Sequence, residues 1–193
     1  GEGSDTLQFE ESGNNTGELT LTTGGATNFE NIIGTGGSET IKGDANANKL
    51  EGKRGDDTLY GYAGNDTLEG DEGSDTLYGG ADDDTLKGED GDDTLDGGTG
   101  TDTLTGGDGT DTFVIRTGDG STTLANANVI TDFNDGTDLV GLTGVTYDEL
   151  TIEQGTGDYA SHTLVSITAT GEYLLIIQNT TASDVAAGDF SNT

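Results

Sequence analysis

A nine-residue repeat runs without interruption from residue 34 to residue 114 and restricts the folds open to this part of the chain. Its first position is glycine in all nine units, and its fourth is glycine in seven. The sixth is aspartate from the third unit onward, the seventh is threonine in eight units, and the eighth is leucine, isoleucine or phenylalanine. Five columns held in register over 81 residues indicate a repeat architecture in which neighbouring units pack on each other.

Each column predicts a local structure. Glycine permits positive φ, so the first six residues of a unit are expected to curl sharply with their carbonyls turned inward. The next three, typically Thr-Leu-x, predict a very short strand whose leucine points inward. Two units then close a flattened coil of 18 residues, and nine units give about four and a half coils. The prediction is an all-β parallel β-roll in which leucines from the two faces form a thin core.

The sixth-position acids predict metal sites. Units two apart lie on the same edge of the roll, where carboxylates one strand spacing apart would repel each other strongly. Calcium relieves the conflict, because it takes six to eight carboxylate and carbonyl oxygens, whereas magnesium demands tighter octahedral geometry. We expect calcium between the turns, held by the aspartates of one edge (Asp57, Asp75, Asp93, Asp111), those of the other (Asp66, Asp84, Asp102), and the fourth-position glycines Gly55, Gly64, Gly73, Gly91, Gly100 and Gly109.

Charge supports cations as partners. Residues 34–114 contain 21 acidic and five basic side chains, a net charge of about −16, which roughly seven interior calcium sites would nearly neutralise. The whole chain carries −32 with only 28% hydrophobic residues, a balance that repels nucleic acid and anionic membranes. By composition alone, the chain is close to the class of disordered proteins.

These columns, as in "GGTGTDTLT" (97–105), resemble the nonapeptide of the repeats-in-toxin (RTX) family. The resemblance implies a right-handed parallel β-roll with calcium between its turns. It also implies secretion through a type I bacterial exporter, folding outside the cell or at the bacterial surface, and an upstream domain in the same polypeptide.

The flanks resemble the same family. "NFENIIGTGGSETIKG" (28–43) is similar to a common start of such rolls, "VITDFNDGTDLVGLTGV" (129–145) to the segment that closes them, and "SDVAAGDF" (183–190) to their final stretch. We expect opening strands over 1–33, the roll over 34–114 and a capping region over 115–193. The chain opens as if in mid-repeat, which predicts a fragment of a longer protein. Family export signals often end with an acid and apolar residues, whereas this chain ends Asp-Phe-Ser-Asn-Thr.

Two further expectations concern the ends of the roll. Glu39 and Asn48 replace the motif aspartate in the first two units, so weaker metal binding is expected there. The apolar runs 162–169 and 173–179 predict a hairpin in a small sandwich-like cap that covers the exposed edge of the last coil. Near that junction, Asp119, Asp132, Asp135 and Asp138 are explained equally well by one more calcium site or by solvated turns.

The sequence does not point to catalysis. His162 is the sole histidine and has no nucleophile in its segment, cysteine is absent, and the Gly-x-Gly strings are periodic rather than phosphate-binding loops. The principal hypothesis is a non-catalytic calcium-binding module of a secreted protein that folds on binding calcium and aids export, stability or presentation of an upstream domain. The alternative is a carbohydrate- or surface-binding module that uses Tyr60, Tyr62 and Tyr78 with Lys53 and Arg54.

Overall fold

The computed structural model describes residues 5–8, 18–20 and 29–192, and in these ranges 18 strands form two sheets. Of the opening region 1–33, residues 1–4, 9–17 and 21–28 lie outside the described ranges, as does Thr193. In spatial order, the ten-stranded sheet contains β1 (Asp5–Gln8), β3 (Phe29–Ile33), β5 (Lys49–Arg54), β7 (Thr67–Glu72), β9 (Thr85–Asp90), β11 (Thr103–Asp108), β13 (Asn128–Ile130), β17 (Tyr173–Ile177), β16 (Thr163–Ile167) and β15 (Leu150–Gln154). The eight-stranded sheet contains β18 (Phe190–Asn192), β14 (Leu139–Thr143), β12 (Thr112–Arg116), β10 (Thr94–Thr99), β8 (Thr76–Ala81), β6 (Thr58–Ala63), β4 (Thr40–Lys42) and β2 (Glu18–Thr20).

Consecutive strands of the repeat alternate between the two sheets, which confirms the parallel β-roll and its coil of two units. Thr58 pairs with Thr76 and Thr76 with Thr94 in one sheet, and Thr67 pairs with Thr85 in the other, each 18 residues further along the chain. All pairs from β1 to β14 are parallel. Each repeat unit therefore lies directly above the unit two before it.

The strands are longer than the three residues predicted. Strands β5 to β11 have six residues each, and only three residues form each turn, such as 55–57 and 64–66. The extension arises because the first-position glycine also faces inward, two residues after the leucine. An inward glycine adds no apolar contact, so hydrophobic periodicity alone does not reveal this half of the strand.

The core is one column of leucines on each sheet, as predicted. Leu59, Leu77 and Leu95 face Leu68, Leu86 and Leu104, and all are fully buried in one cluster with Ile32, Ile41, Leu50 and Phe113. In register, leucine stacks on leucine from coil to coil. Each coil therefore contributes two large side chains to a narrow core.

Both sheets continue past residue 114. Strand β13 pairs with β11, and β14 pairs with β12, so the residues after the repeat add further parallel strands rather than a separate sandwich. The predicted hairpin is present as antiparallel β16 and β17, and β17 joins the roll through β13. Four short 3-10 helices lie in this region, at Leu124–Asn126, Tyr147–Glu149, Gly157–Tyr159 and Ala187–Asp189. Across the described ranges, no helix has the length and apolar character required to cross a membrane.

Candidate metal sites

The motif aspartates form the two predicted ladders, one along each edge of the roll. The Oδ1 atom of each accepts a hydrogen bond from the backbone N–H of the residue 18 positions earlier, at 2.6–3.0 Å. On the first edge, for example, Asp57 N–H donates to Asp75, and Asp75 N–H donates to Asp93. Each carboxylate is thereby fixed to the preceding coil through one of its two oxygens.

The second carboxylate oxygen has no partner. The Oδ2 atoms of seven motif aspartates are buried and form no hydrogen bond in the protein: Asp57, Asp66, Asp75, Asp84, Asp93, Asp102 and Asp111. These residues are at most 2% exposed, and buried polar atoms are almost always satisfied. Seven such oxygens at the same repeat position indicate that a group outside the chain satisfies them.

Backbone carbonyls approach the same oxygens above the first-position glycines. A Cβ added to Gly70 would lie 2.2 Å from Asp75 Oδ2 and 2.8 Å from the Gly88 carbonyl oxygen. Equivalent pairs of oxygens surround Gly52, Gly61, Gly79 and Gly88. The missing side chain therefore lets one carboxylate oxygen and one carbonyl oxygen of the next coil pack closely against the glycine backbone.

The six predicted fourth-position glycines lie in the tight turns between strands. Gly55, Gly73 and Gly91 have φ of 102°, 142° and 141°, where side-chain-bearing residues are strained. A Cβ on Gly73 would lie 2.1 Å from the Gly55 carbonyl oxygen, so these turns stack closely. Gly64, Gly100 and Gly109 have the same geometry. That these six glycines hold calcium stays a prediction. The first-position glycines, which were not predicted as metal sites from the sequence, lie beside the aspartate Oδ2 atoms, and their invariance in the repeat was the available signal.

Burial raises the pKa of every motif carboxyl group in the metal-free protein. Desolvation is the largest cause, and neighbouring carboxylates add to it, whereas the backbone hydrogen bond to Oδ1 opposes it. The pKa rises to about 7 at Asp57, Asp66, Asp84 and Asp93, and to about 6 at Asp75, Asp102 and Asp111. Such sites favour either a proton or a metal cation over a bare carboxylate.

At both ends of the roll, side chains that form hydrogen bonds within the protein take the place of the motif aspartates. At the start, Glu39 accepts hydrogen bonds from the Thr35 N–H and hydroxyl, and Asn48 Oδ1 accepts one from the Asp44 N–H. At the far end, Asn128 Oδ1 accepts the Asp102 N–H. Both ladders are therefore terminated by satisfied side chains.

The four acids predicted near the junction do not gather into one site. Asp132 accepts the Gly106 and Gly107 N–H groups, while Asp138 accepts those of Asp111 and Asn134 and continues the first ladder. Asp119 lies instead beside Arg116. Within the part of the chain that the structure describes, no group of three or more acidic, histidine or cysteine side chains is placed to hold a metal. Any metal in the ladders must therefore draw on backbone oxygens.

The proposed grouping of tyrosines with basic residues is wrong. Tyr60 and Tyr78 stack on the eight-stranded sheet, whereas Lys53 and Arg54 end a strand of the other sheet. Both basic side chains are paired with acids of the next coil, Lys53 with Asp71 at 3.1 Å and Arg54 with Glu72 at 3.2 Å. The residues lie in different sheets because consecutive strands alternate between the sheets, and β5 ends at Arg54 whereas Tyr60 lies in β6.

A parallel β-roll with buried, unsatisfied carboxylate ladders defines a repeat protein suited to hard divalent cations. The family model for the RTX calcium-binding nonapeptide repeat matches the chain four times, at residues 33–68, 43–77, 78–113 and 87–123. Residues 33–123 therefore consist of RTX calcium-binding nonapeptide repeats. Repeats of this family bind calcium, act as a structural module and are typical of secreted proteins.

Three solved structures are similar to the chain. The extracellular lipase LipA from Serratia marcescens is 16% identical, with a TM-score of 0.39, over 83% of this chain and 39% of the lipase. The AlgE6R3 and AlgE6R2 subunits of the Azotobacter vinelandii mannuronan C5-epimerase are 22% and 23% identical, with TM-scores of 0.34 and 0.36. The matches cover 80% and 76% of this chain and 77% and 86% of theirs. The chain thus spans about two fifths of the lipase. A search of curated proteins finds no significant match.

Proposed function

We propose that this chain is a non-catalytic module that folds when calcium binds between its coils. The observation that carries the proposal is the series of seven buried Oδ2 atoms without partners. We assign one calcium ion to each, about seven in all, because a divalent cation removes the cost of burying these charges. At five of the seven, a carbonyl oxygen of the next coil is among the atoms nearest to the same first-position glycine.

The binding residues belong to three consecutive coils at each site. Asp75, for example, accepts the Asp57 N–H through Oδ1, while its Oδ2 and the Gly88 carbonyl oxygen both lie beside Gly70. In the folded coil the backbone hydrogen bond thus orients the carboxylate, and calcium supplies the positive charge that holds adjacent coils together. Folding and metal binding are then one process, as in other small metal-dependent domains.

We infer a setting outside the cell, where calcium is abundant. A chain with net charge −32 is expected to stay extended when calcium is scarce, which suits passage through a type I exporter. In this proposal residues 1–33 and 115–193 flank the roll at 34–114, and the roll stabilises or presents an upstream domain.

The experiment is far-UV circular dichroism and sedimentation velocity of the full chain in chelator, in millimolar calcium and in millimolar magnesium. A β signal with compaction in calcium alone supports the proposal. The same fold in chelator would overturn it, since the carboxylates would then be satisfied without metal. Calorimetric titration gives the number of sites, and affinities near 10⁻⁴–10⁻³ M are expected, as in other extracellular modules.

A further inference from the structure

An open pocket of about 320 Å³ lies on the outer face of the eight-stranded sheet. Tyr78 forms one wall, Gly80 and Gly98 form part of its floor, and Asp96, Arg116 and Asp119 contribute polar groups. The two glycines stand in register on neighbouring strands, so no side chain rises from that part of the floor. The pocket therefore combines an aromatic wall, a flat base and a charged side.

A second tyrosine side chain packs against Tyr78, the aromatic wall of the pocket. Tyr60 stacks on Tyr78 with ring centroids 4.9 Å apart and an interplanar angle of 9°. Tyr62 stacks on Tyr60 at 6.0 Å and is the single exposed large hydrophobic residue among the described side chains, at 50% exposure. Tyr60 thus covers one face of the Tyr78 ring, Asp96 is the in-register neighbour on the other side, and the rest of Tyr78 lines the pocket.

Tyr62 occupies a strained backbone position. Its φ is +79°, which costs a bulky residue roughly 1 kcal/mol, whereas glycine stands at the equivalent positions Gly80 and Gly98. The fold itself does not require tyrosine here, because glycine adopts the same conformation without strain. The same positive φ recurs at this repeat position elsewhere in the roll, as at Lys53 and Glu89, so the conformation is a feature of the repeat.

The polar side of the pocket contains one unsatisfied acceptor. Arg116 donates two hydrogen bonds to the buried Asp96 carboxylate, so this pair is internally neutral. Asp119 Oδ2 is buried without a hydrogen-bond partner and lies 3.9 Å from the nearer Arg116 nitrogen. The arrangement thus lacks a hydroxyl-type donor near Asp119.

We propose that this pocket binds one ring of a neutral polysaccharide, with the C–H face of the sugar against Tyr78 and a sugar hydroxyl donating to Asp119 Oδ2. Apolar contact with an aromatic face and a few directed polar groups are the usual elements of a small-ligand site. The net negative charge of the chain disfavours uronic-acid polymers.

The test uses the full chain in millimolar calcium, with circular dichroism on every sample to verify the fold. Oligosaccharides of glucose, mannose and galactose are titrated by calorimetry and by tyrosine fluorescence, which is readable because the chain has six tyrosines and no tryptophan. Oligouronates serve as the anionic comparison. The expected result is binding of at least one neutral oligosaccharide and none of the uronates.

Three variants locate the site. Tyr78→Ala should weaken binding about tenfold or more, and Asp119→Asn several-fold. Asp119→Asn leaves the tyrosine stack intact and so decides the question if Tyr78→Ala folds poorly. Lys87→Ala, an outward residue of the other sheet, should change nothing. Absence of neutral-sugar binding by folded protein, binding of uronates alone, or affinity unchanged in Asp119→Asn would each overturn the proposal. A chain that does not fold in calcium would refute the calcium proposal instead.

Discussion

When calcium is removed with a chelator, lowering the pH from about 7 toward about 4 is expected to fold the chain. Burial raises the pKa of the seven motif carboxyl groups to about 6 or 7 in the folded state, whereas an unfolded aspartate titrates near 3.9. The folded state therefore holds more protons between these values. The cost of burying these groups as carboxylates is absent at a pH below their pKa in the unfolded chain. It grows as the pH rises and reaches its full size above their pKa in the folded chain.

The size of the effect follows from the pKa shifts. At 1.36 kcal/mol per unit, one ionised carboxylate costs about 3 kcal/mol at Asp75 and about 4 kcal/mol at Asp93. A few such groups outweigh the roughly 5–15 kcal/mol that stabilises an ordinary domain. With seven groups titrating together, the stability changes by up to about 9 kcal/mol per pH unit, so the transition should span about half a unit.

The assay is a pH titration in chelator followed by circular dichroism, with sedimentation velocity to detect aggregation. High salt at pH 7 is the control, because about 1 M salt screens surface repulsion but does not relieve the burial of a charge. Folding in chelator at pH 7, folding by salt alone, or a chain that stays unfolded to pH 4 would each refute the reasoning.

Three substitutions test the site and the core. Gly70→Ala should abolish at least one calcium in a calorimetric titration and cost about 1–3 kcal/mol in urea unfolding with calcium, because its Cβ would meet Asp75 Oδ2. Gly188→Ala, with no atom within 4 Å of the new Cβ, is the control that should leave both unchanged. Asp93→Asn removes a buried charge, so in chelator the chain should fold at a higher pH than the wild type. The same substitution should lower the calcium affinity. If the folding pH and the calcium affinity both rose or both fell, the assignment of Asp93 to a calcium site would be contradicted. Leu77→Ala should cost about 2–5 kcal/mol in urea unfolding with calcium, and a loss below 1 kcal/mol would mean that the column of leucines is not a packed core.

The period alone was sufficient to predict the coil, the two ladders and the leucine core. An 18-residue coil fixes which side chains stack, so Asp57 over Asp75 and Leu59 over Leu77 follow directly from their spacing. The six-residue strands were missed because their second half is built on an inward glycine, which carries no hydrophobic signal. The carbonyl above that glycine was missed for the same reason.

The continuation of the roll was hidden by insertions. Asp102 N–H bonds to Asn128, 26 residues away, and Asp111 N–H bonds to Asp138, 27 residues away, where the repeat would give 18. Both segments keep the local pattern of an amide or acid followed two residues later by an aliphatic residue, Asn128 before Ile130 and Asp138 before Val140. That pattern was the available signal, but the insertions place these segments 26 and 27 residues after their partners, outside the nine-residue register.

The geometry of the ladders implies that calcium binding is cooperative along each edge. A single motif aspartate accepts a hydrogen bond from the coil before it, while its second oxygen and a carbonyl oxygen of the coil after it lie beside the same glycine, as for Asp75 between Asp57 and Gly88. Metal at one level therefore orders the carboxylate and the carbonyl that the next level requires. Stacked repeats of this kind gain stability from nearest-neighbour terms, so the ordered coils extend one level at a time. The apolar strands Thr163–Ile167 and Tyr173–Ile177, nearly all buried, provide an end that needs no metal and from which this growth can begin.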